Sequence, residues 1–469
     1  MNNNTNFDLI VIGAGSAARE GANKASQEYG ASVAMIERTR WGGGCPNVAC
    51  RPTKAYLVAA ELAHDINTLS NKIGIEVGPA QANLARIKAR KDAIRSTQEQ
   101  WRERLTKAGY ELVDGVAAFE DAHTVRVGER RLTADRILVT TGSRTAVPPI
   151  DSIDDIDWLD HVSALELTAL PESLLVVGGG AVGLELGQAF SRFGSRVTIV
   201  DAVDRIAFRD DQECAVELAA ALEEEGIEIV LNTFVKSVRQ DGVDVIARLA
   251  PRDGGDEREL RISRVLLAAG RVPNVEELEL EKAGIERTKA GIAVDGRLRT
   301  TAEGVWAAGD VTGLAQFTPV AQYQARIAAE DMFGDVAPEA DYSILPTAIF
   351  TDPELGGVGI TEDEARTRGL EFDVVKHPLA GVTRAQYTDS KHGLYKIVFE
   401  TGSRRVLGVH VVNRVASEIV QGLALPLKLG ATVDDLATVL HTYPSLGEGV
   451  KAAAEQALKV ATKRAAARG

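Results

Sequence analysis

Cys45 and Cys50 stand five residues apart in the run Trp41-Gly42-Gly43-Gly44-Cys45-Pro46-Asn47-Val48-Ala49-Cys50-Arg51-Pro52-Thr53-Lys54. The glycines, Gly44 among them, let backbone approach a ligand. Both thiols fall at the entry to a helical pattern that runs to about His64, where the helix dipole favours a thiolate. Two thiols so placed suit a redox pair. Zinc would need about four Cys or His ligands and nothing nearby supplies the other two, so no metal site is expected. The third and last cysteine, Cys214, lies in the helical pattern Glu213-Cys214-Ala215-Val216-Glu217-Leu218 and reads as a buried structural thiol.

Two glycine motifs supply a second kind of chemistry. Residues 7–12 read as a buried parallel strand, followed by Gly13-Ala14-Gly15-Ser16-Ala17-Ala18, a helical run to about Tyr29, and a second strand over 32–36 that ends in Glu37. This is a dinucleotide-binding unit. Gly13 allows the tight turn, Gly15 admits a pyrophosphate to the helix start at Ser16, the small Ala18 lets helix and strand pack closely, and Glu37 faces a ribose. Residues 174–177 open a second unit: Gly178-Gly179-Gly180-Ala181-Val182-Gly183, a helix through Phe193, a strand over 196–200, and Asp201. Gly178, Gly180, Gly183 and Asp201 take the corresponding roles. One such motif is a weak signal, but two complete units imply two dinucleotides. Asp201 favours NADH over NADPH, since a carboxylate there bonds a 2′-hydroxyl and repels a 2′-phosphate, although Arg205 and Arg209 stand close by in sequence.

The elements that must position these residues make a long chain. Its 469 residues suggest about three or four domains at roughly 100–200 residues each. Apolar residues are 45% and charged residues 26%, an ordinary globular balance, and no apolar stretch approaches the roughly 20 residues of a membrane span. The polar start, residues 1–6, precedes an apolar run too short for a secretory signal, so a cytoplasmic location is expected. The formal charge of −14 argues against nucleic acid and anionic membrane as partners. Residues 82–107 read as a long, highly charged helical pattern, in which the Arg- and Lys-rich stretch from Arg86 to Arg104, with Asp92, Glu99 and Glu103 interleaved, reads as a solvated face. Short strands over 125–139 close on Thr140-Thr141-Gly142-Ser143, and a boundary is expected near Ile150. Residues 264–268 form a strand ending in Gly270-Arg271-Val272-Pro273-Asn274, where the chain could return to its first domain. From about Tyr342 alternating strands and helices suggest an α+β domain.

These motifs, in this order, resemble the class I flavoprotein disulfide reductases, the family of dihydrolipoamide dehydrogenase, glutathione reductase and mercuric reductase. The resemblance runs end to end, through the first motif, residues 43–54, Thr141-Gly142, the second motif with Glu185, residues 270–274 and Ala308-Gly309-Asp310. It implies an α/β fold with two Rossmann-like dinucleotide-binding domains, as in glutathione reductase, and a C-terminal α+β dimerisation domain. The expected division is an FAD domain over 1–150, an NAD(P) domain over 151–270, a return to the first domain over 271–341 and the dimerisation domain over 342–469. The resemblance further implies that Gly13, Gly15, Ser16, Ala18, Glu37, Gly44, Thr141, Gly142 and Asp310 hold FAD, with Gly270 on the NAD(P) side. Lys54 paired with Glu185 would sit near the reactive flavin nitrogen, where a buried cation stabilises the reduced ring. Cys50 would exchange electrons with the flavin and Cys45 would attack the acceptor.

One position departs from the pattern. The family brings a histidine, with a glutamate five residues later, across a homodimer interface as acid and base for the thiols. In His441-Thr442-Tyr443-Pro444-Ser445-Leu446-Gly447-Glu448, counting back from Glu448 puts Tyr443 in that place. Mercuric reductase also carries a tyrosine there, but it usually adds a C-terminal cysteine pair, and this chain has no cysteine after Cys214. The leading expectation is therefore a homodimeric FAD enzyme that uses NAD(P)H to reduce a disulfide, Hg(II) or another small acceptor. The alternatives are a dihydrolipoamide dehydrogenase, a quinone- or oxygen-reducing flavoenzyme, and a non-enzymatic, NAD-sensing flavoprotein.

Overall fold

The computed structural model describes residues 5–336 and 338–468. The chain forms two compact units, each built from three separate segments. One takes the chain up to Thr53, Ala89–Ala146 and Gly270–Asp341; the other takes Lys54–Lys88, Val147–Ala269 and the chain from Tyr342. Residues 1–4, which belong to the polar start, lie outside the described residues.

The first unit is centred on a five-stranded parallel sheet, in the order Val305–Ala307, Ile137–Val139, Leu9–Ile12, Val33–Glu37 and Glu111–Asp114. Leu9, Ile10 and Val11 are wholly buried, as expected of a parallel strand covered on both faces. The helices Ser16–Tyr29 and Thr318–Phe333 contribute Ala18, Ala22, Ala25, Ala321, Ala325 and Ala328 to one core. Their small side chains let helix approach helix and sheet closely: a Cβ on Gly21 would lie 2.5 Å from Leu138. An antiparallel pair, Ser143–Thr145 with Arg271–Pro273, joins the point where the chain leaves this unit to the point where it returns.

The second unit holds the second parallel sheet, in the order Glu228–Val230, Arg196–Val200, Ser173–Val177 and Arg264–Leu267. It also holds a five-stranded sheet, in the order Thr347–Ile349, Glu354–Gly359, Val406–Asn413, Leu394–Glu400 and Phe372–Pro378, antiparallel throughout. The helices Ala416–Lys428 and Glu448–Arg468 pack Val420, Leu423, Leu427, Val450, Ala453 and Ala457 into the core of that sheet. A mixed α/β chain with two dinucleotide-binding sheets and a C-terminal α+β part is therefore present.

Two expectations need correction. The charged run over 82–107 is two helices, Leu84–Ile94 and Gln98–Lys107, because Thr97 caps the second one: its hydroxyl accepts the Gln100 N–H while the Gln100 side chain answers the Thr97 N–H. Nor is its basic face wholly solvated. Lys91 is 1% exposed and lies 3.1 Å from Asp92, since the first helix buries part of its surface. Among the described residues, no helix is long and apolar enough to cross a membrane.

Candidate active site

Gly13 and Gly178 make the two strand-to-helix turns at φ +108° and +111°. The helices that follow, Ser16–Tyr29 and Ala181–Phe193, start after Gly15 and Gly180, and neither has a side-chain cap. Their first-turn N–H groups stay available to an anion, and a Cβ on Gly180 would meet no atom within 4 Å. Gly183 packs where a Cβ would be 2.0 Å from the Gly178 carbonyl oxygen, and Ala18 at the matching place in the first unit is wholly buried. Two uncapped helix starts, each following a positive-φ glycine turn, fit two pyrophosphate groups, so the residues present suit FAD and a nicotinamide dinucleotide.

The strand-end acids are tied to their loops. Glu37 accepts the Ala14 N–H at 3.0 Å with one oxygen and the N–H groups of Thr39 and Arg40 with the other. Asp201 accepts from Gly179 at 2.7 Å and from Val203 at 3.2 Å. Both carboxylates are thus held at the ends of their strands. Arg205 is turned onto Phe208, its guanidinium carbon 4.7 Å from the ring and one N–H on the Phe208 carbonyl. Arg209 is exposed.

Gly43, at φ +73°, rests directly on the first helix start, where a Cβ would be 2.3 Å from the Gly15 Cα. Only glycine allows that approach. Asn47, 3% exposed, holds the loop by donating to the carbonyls of Trp41 and Gly43 at 3.0 and 2.7 Å. Cys45 falls in the short helix Gly44–Asn47 and is half-buried; Cys50 starts the helix Cys50–Thr68 and is exposed. The Cys50 sulfur lies 3.7 Å from the Thr318 hydroxyl, at the start of the uncapped helix Thr318–Phe333. Cys214 is wholly buried, and burial pushes its thiol well up.

In the first unit, Asp310 accepts the Ser143 hydroxyl at 2.6 Å, and Arg271 donates to both the side-chain oxygen and the carbonyl of Ser143. Thr141 donates to the Asn274 carbonyl at 2.6 Å, and Gly142 accepts the Asn274 N–H through its carbonyl. Gly270 stands at φ +121° with open space where a Cβ would lie. In the second unit, Lys54 donates to Glu185 at 2.6 Å; Glu185 is 7% exposed and Lys54 36%. The other Glu185 oxygen accepts the Phe350 N–H, and the Lys54 ammonium sits 4.2 Å from the Phe350 ring centroid. Tyr443 is 69% exposed, next to Leu440 at 96%. Glu448 accepts the Ser445 N–H, and the His441 ring bonds locally to the Leu436 carbonyl at 3.3 Å.

Sequence reasoning missed Asn47, Thr318, Phe350 and Arg19. Arg19 lies one turn into the first dinucleotide helix, where its charge was a readable signal. Asn47 stands inside the cysteine motif, but its bonds to the Trp41 and Gly43 carbonyls form only in the fold, and Thr318 and Phe350 meet the motifs only through folding.

A half-buried and an exposed cysteine, the first on a glycine loop packed against the Gly15 helix start, together with a second glycine turn and uncapped helix in the other unit, define a two-dinucleotide oxidoreductase with a dithiol. The chain belongs to the pyridine nucleotide-disulphide oxidoreductase family: that family's profile matches residues 7–325, and the family's dimerisation domain matches residues 345–454. It is 35% identical over 455 residues to a mercuric reductase of Lysinibacillus sphaericus, covering 96% of this chain and 83% of the relative. It is 36% identical over 456 residues to a dihydrolipoyl dehydrogenase of Thermus scotoductus, covering 96% and 97%. Among solved structures, the HOCl-induced flavoprotein disulfide reductase RclA from Escherichia coli matches with a TM-score of 0.85 and 28% identity, covering 96% of this chain and 99% of that one. The family is FAD-dependent and uses pyridine nucleotides, so the chain is an oxidoreductase of the flavoprotein disulfide reductase type.

Proposed function

We propose that the protein, as a homodimer, carries two electrons from NADH through FAD to the Cys45–Cys50 pair and on to Hg(II), a related soft metal ion or a small disulfide. FAD, when bound, supplies the two-electron relay between nicotinamide and sulfur. The observation that carries the reading is the glycine loop before Cys45 packed on the Gly15 helix start, with the Cys50 sulfur 3.7 Å from Thr318 at the start of a second uncapped helix. Lys54 and Glu185 then act as the charge pair beside the flavin ring. Asp201, fixed at its strand end, supports NADH, since a 2′-phosphate would face its carboxylate. The exposed Tyr443 and Leu440 support a partner copy that covers them and brings Tyr443 and Glu448 to the dithiol. The mercuric reductase relatives, the tyrosine in the histidine place and the Cu(II) complex of the solved relative favour a metal acceptor. Asp201 and the dihydrolipoyl dehydrogenase relatives favour lipoamide as the second reading.

Anaerobic titration of the purified holoprotein with NADH and then NADPH, in wild type and Cys50→Ser, tests the proposal. The expected result is flavin bleaching at lower NADH than NADPH, with a long-wavelength absorbance band after two electrons that Cys50→Ser abolishes. Direct bleaching without that band would remove the dithiol from the electron path. If the band is present, turnover with Hg(II) but not lipoamide supports the first reading, and the reverse supports the second.

A further inference from the structure

Arg19 sits where the cysteine loop meets the dinucleotide helix, and nothing in the reading above uses it. Its Nε donates to the Gly15 carbonyl at 3.3 Å, its Nη2 reaches the Ser16 hydroxyl at 3.4 Å, and its guanidinium carbon lies 4.6 Å from the Trp101 ring centroid. A second guanidinium, that of Arg104, lies 5.2 Å from the same ring. Among the described residues neither arginine pairs with a carboxylate: Arg104 donates to the Ser96 hydroxyl, and the neighbouring Glu20 is held by Arg326 at 2.5 Å. The cysteine loop rests on the same two supports. A Cβ on Gly43 would lie 2.3 Å from the Gly15 Cα, and a Cβ on Gly42 would lie 2.5 Å from the Trp101 ring. Arg19 and the loop that carries Cys45 are therefore anchored to one glycine and one indole.

The electrostatics agree with that placement. Burial pushes the Arg19 guanidinium down from its ordinary value, the Cys45 sulfur and the Glu20 carboxylate act to hold its charge, and Arg104 adds to the lowering. A desolvated cation without a carboxylate is costly unless an anion meets it. We propose that the anion is the Cys45 thiolate, and that Arg19 is its standing counter-charge. The inference rests on the dithiol reading above and says how it works without a histidine. Two electrons delivered to the Cys45–Cys50 disulfide break the S–S bond and leave an electron pair on each sulfur, to be met by a solvent proton or by a fixed positive charge. Arg19 meets the pair on Cys45, so that sulfur stays unprotonated and ready for an electrophilic acceptor. Tyr443 need not act as a base for it.

The test uses the FAD-loaded protein in a Cys50→Ser background, where Cys45 is the accessible thiol because Cys214 is 0% exposed. The rate of iodoacetamide alkylation is followed against pH. The midpoint is expected below the free-thiol value of about 8.5. Arg19→Met should raise it by about one pH unit, slowing alkylation about tenfold at neutral pH, and Arg19→Lys should restore most of the rate. A parental midpoint at or above the free-thiol value would overturn the proposal without any further variant. So would an unmoved profile in Arg19→Met, including the case in which that variant loses FAD, which would assign Arg19 to the dinucleotide. The assay needs no nicotinamide and no flavin reduction, so its failure is distinct from a failed NADH titration.

Discussion

Lys54 and Glu185 show how an ion pair buried at its carboxylate end limits what a substitution can do. Glu185 is nearly inaccessible and takes the Lys54 ammonium on one oxygen and the Phe350 N–H on the other. Removing the cation leaves a carboxylate that burial penalises and a single neutral donor to hold it. Lys54→Met should cost about 2–3 kcal/mol of stability, held down by the partial exposure of the lysine end, whereas Glu185→Gln with Lys54→Met together should recover part of it. Urea unfolding of the two variants beside the parent protein measures this. Stopped-flow reduction by NADH should slow in Lys54→Met beyond what the stability loss explains, if the ammonium acts on the flavin. Unfolding midpoints that match the parent protein would show that the pair is solvated and dispensable. Cys45, Cys50, Lys54 and Glu185 were all legible as residues in sequence. Their partners Thr318 and Phe350 were not, because each lies more than a hundred positions away and only the fold makes them neighbours.

At the scale of elements, the second unit is held by a buried cation that three segments share. Arg192, 5% exposed near the end of the helix Ala181–Phe193, donates to Glu225 at 2.6 Å and lies 3.1 Å from Asp352. Glu225 caps the helix Gln212–Glu224, and Asp352 follows the strand Thr347–Ile349. Arg414 reaches the same Asp352 at 3.1 Å. The planar guanidinium meets two carboxylates at once, which a lysine cannot do with the same geometry. Arg192→Met is therefore expected to destabilise by about 3–5 kcal/mol, with Arg192→Lys falling between it and the parent protein. Chemical denaturation monitored by far-UV circular dichroism would check the order; equal midpoints for all three would contradict it. Pattern reading found the helices on either side of this cluster from their periodicity and glycines. It also ran two helices together over 82–107, since a capping box at Thr97 is a local hydrogen-bond event inside an unbroken charge pattern.

For the whole molecule, acidity should act through groups that the fold has buried. Burial pushes the His410 and His64 imidazoles below their ordinary value. The unfolded chain then takes up protons that the folded chain refuses, so stability falls as pH drops below about 6.5. Asp210 acts in the opposite sense. Burial, reinforced by the Asp211 charge and opposed by Arg209, raises its carboxyl to about 6. The folded state holds that proton in a window where the unfolded state has released it, so Asp210 lowers stability as pH rises through the window and offsets the histidines on acidification. Asp210→Asn should raise Tm at neutral pH and make Tm fall more steeply towards pH of about 5. Scanning calorimetry at several pH values decides it. A Tm difference that does not change with pH would mean that Asp210 is ionised in both states.

What the sequence by itself determined is local: two strand-glycine-helix motifs, the acids at their strand ends, and a cysteine pair at a helix entry. Each needs only a few consecutive residues, because a glycine turn, an uncapped helix start and a period-two strand are set by neighbours in the chain. The tertiary structure alone decided that Gly43 lies on Gly15, that Arg19 and the cysteine loop share Trp101, and that residues 54–88 group with the second unit. Those outcomes depend on close packing of side chains far apart in sequence, and no spacing along the chain encodes how two surfaces interlock.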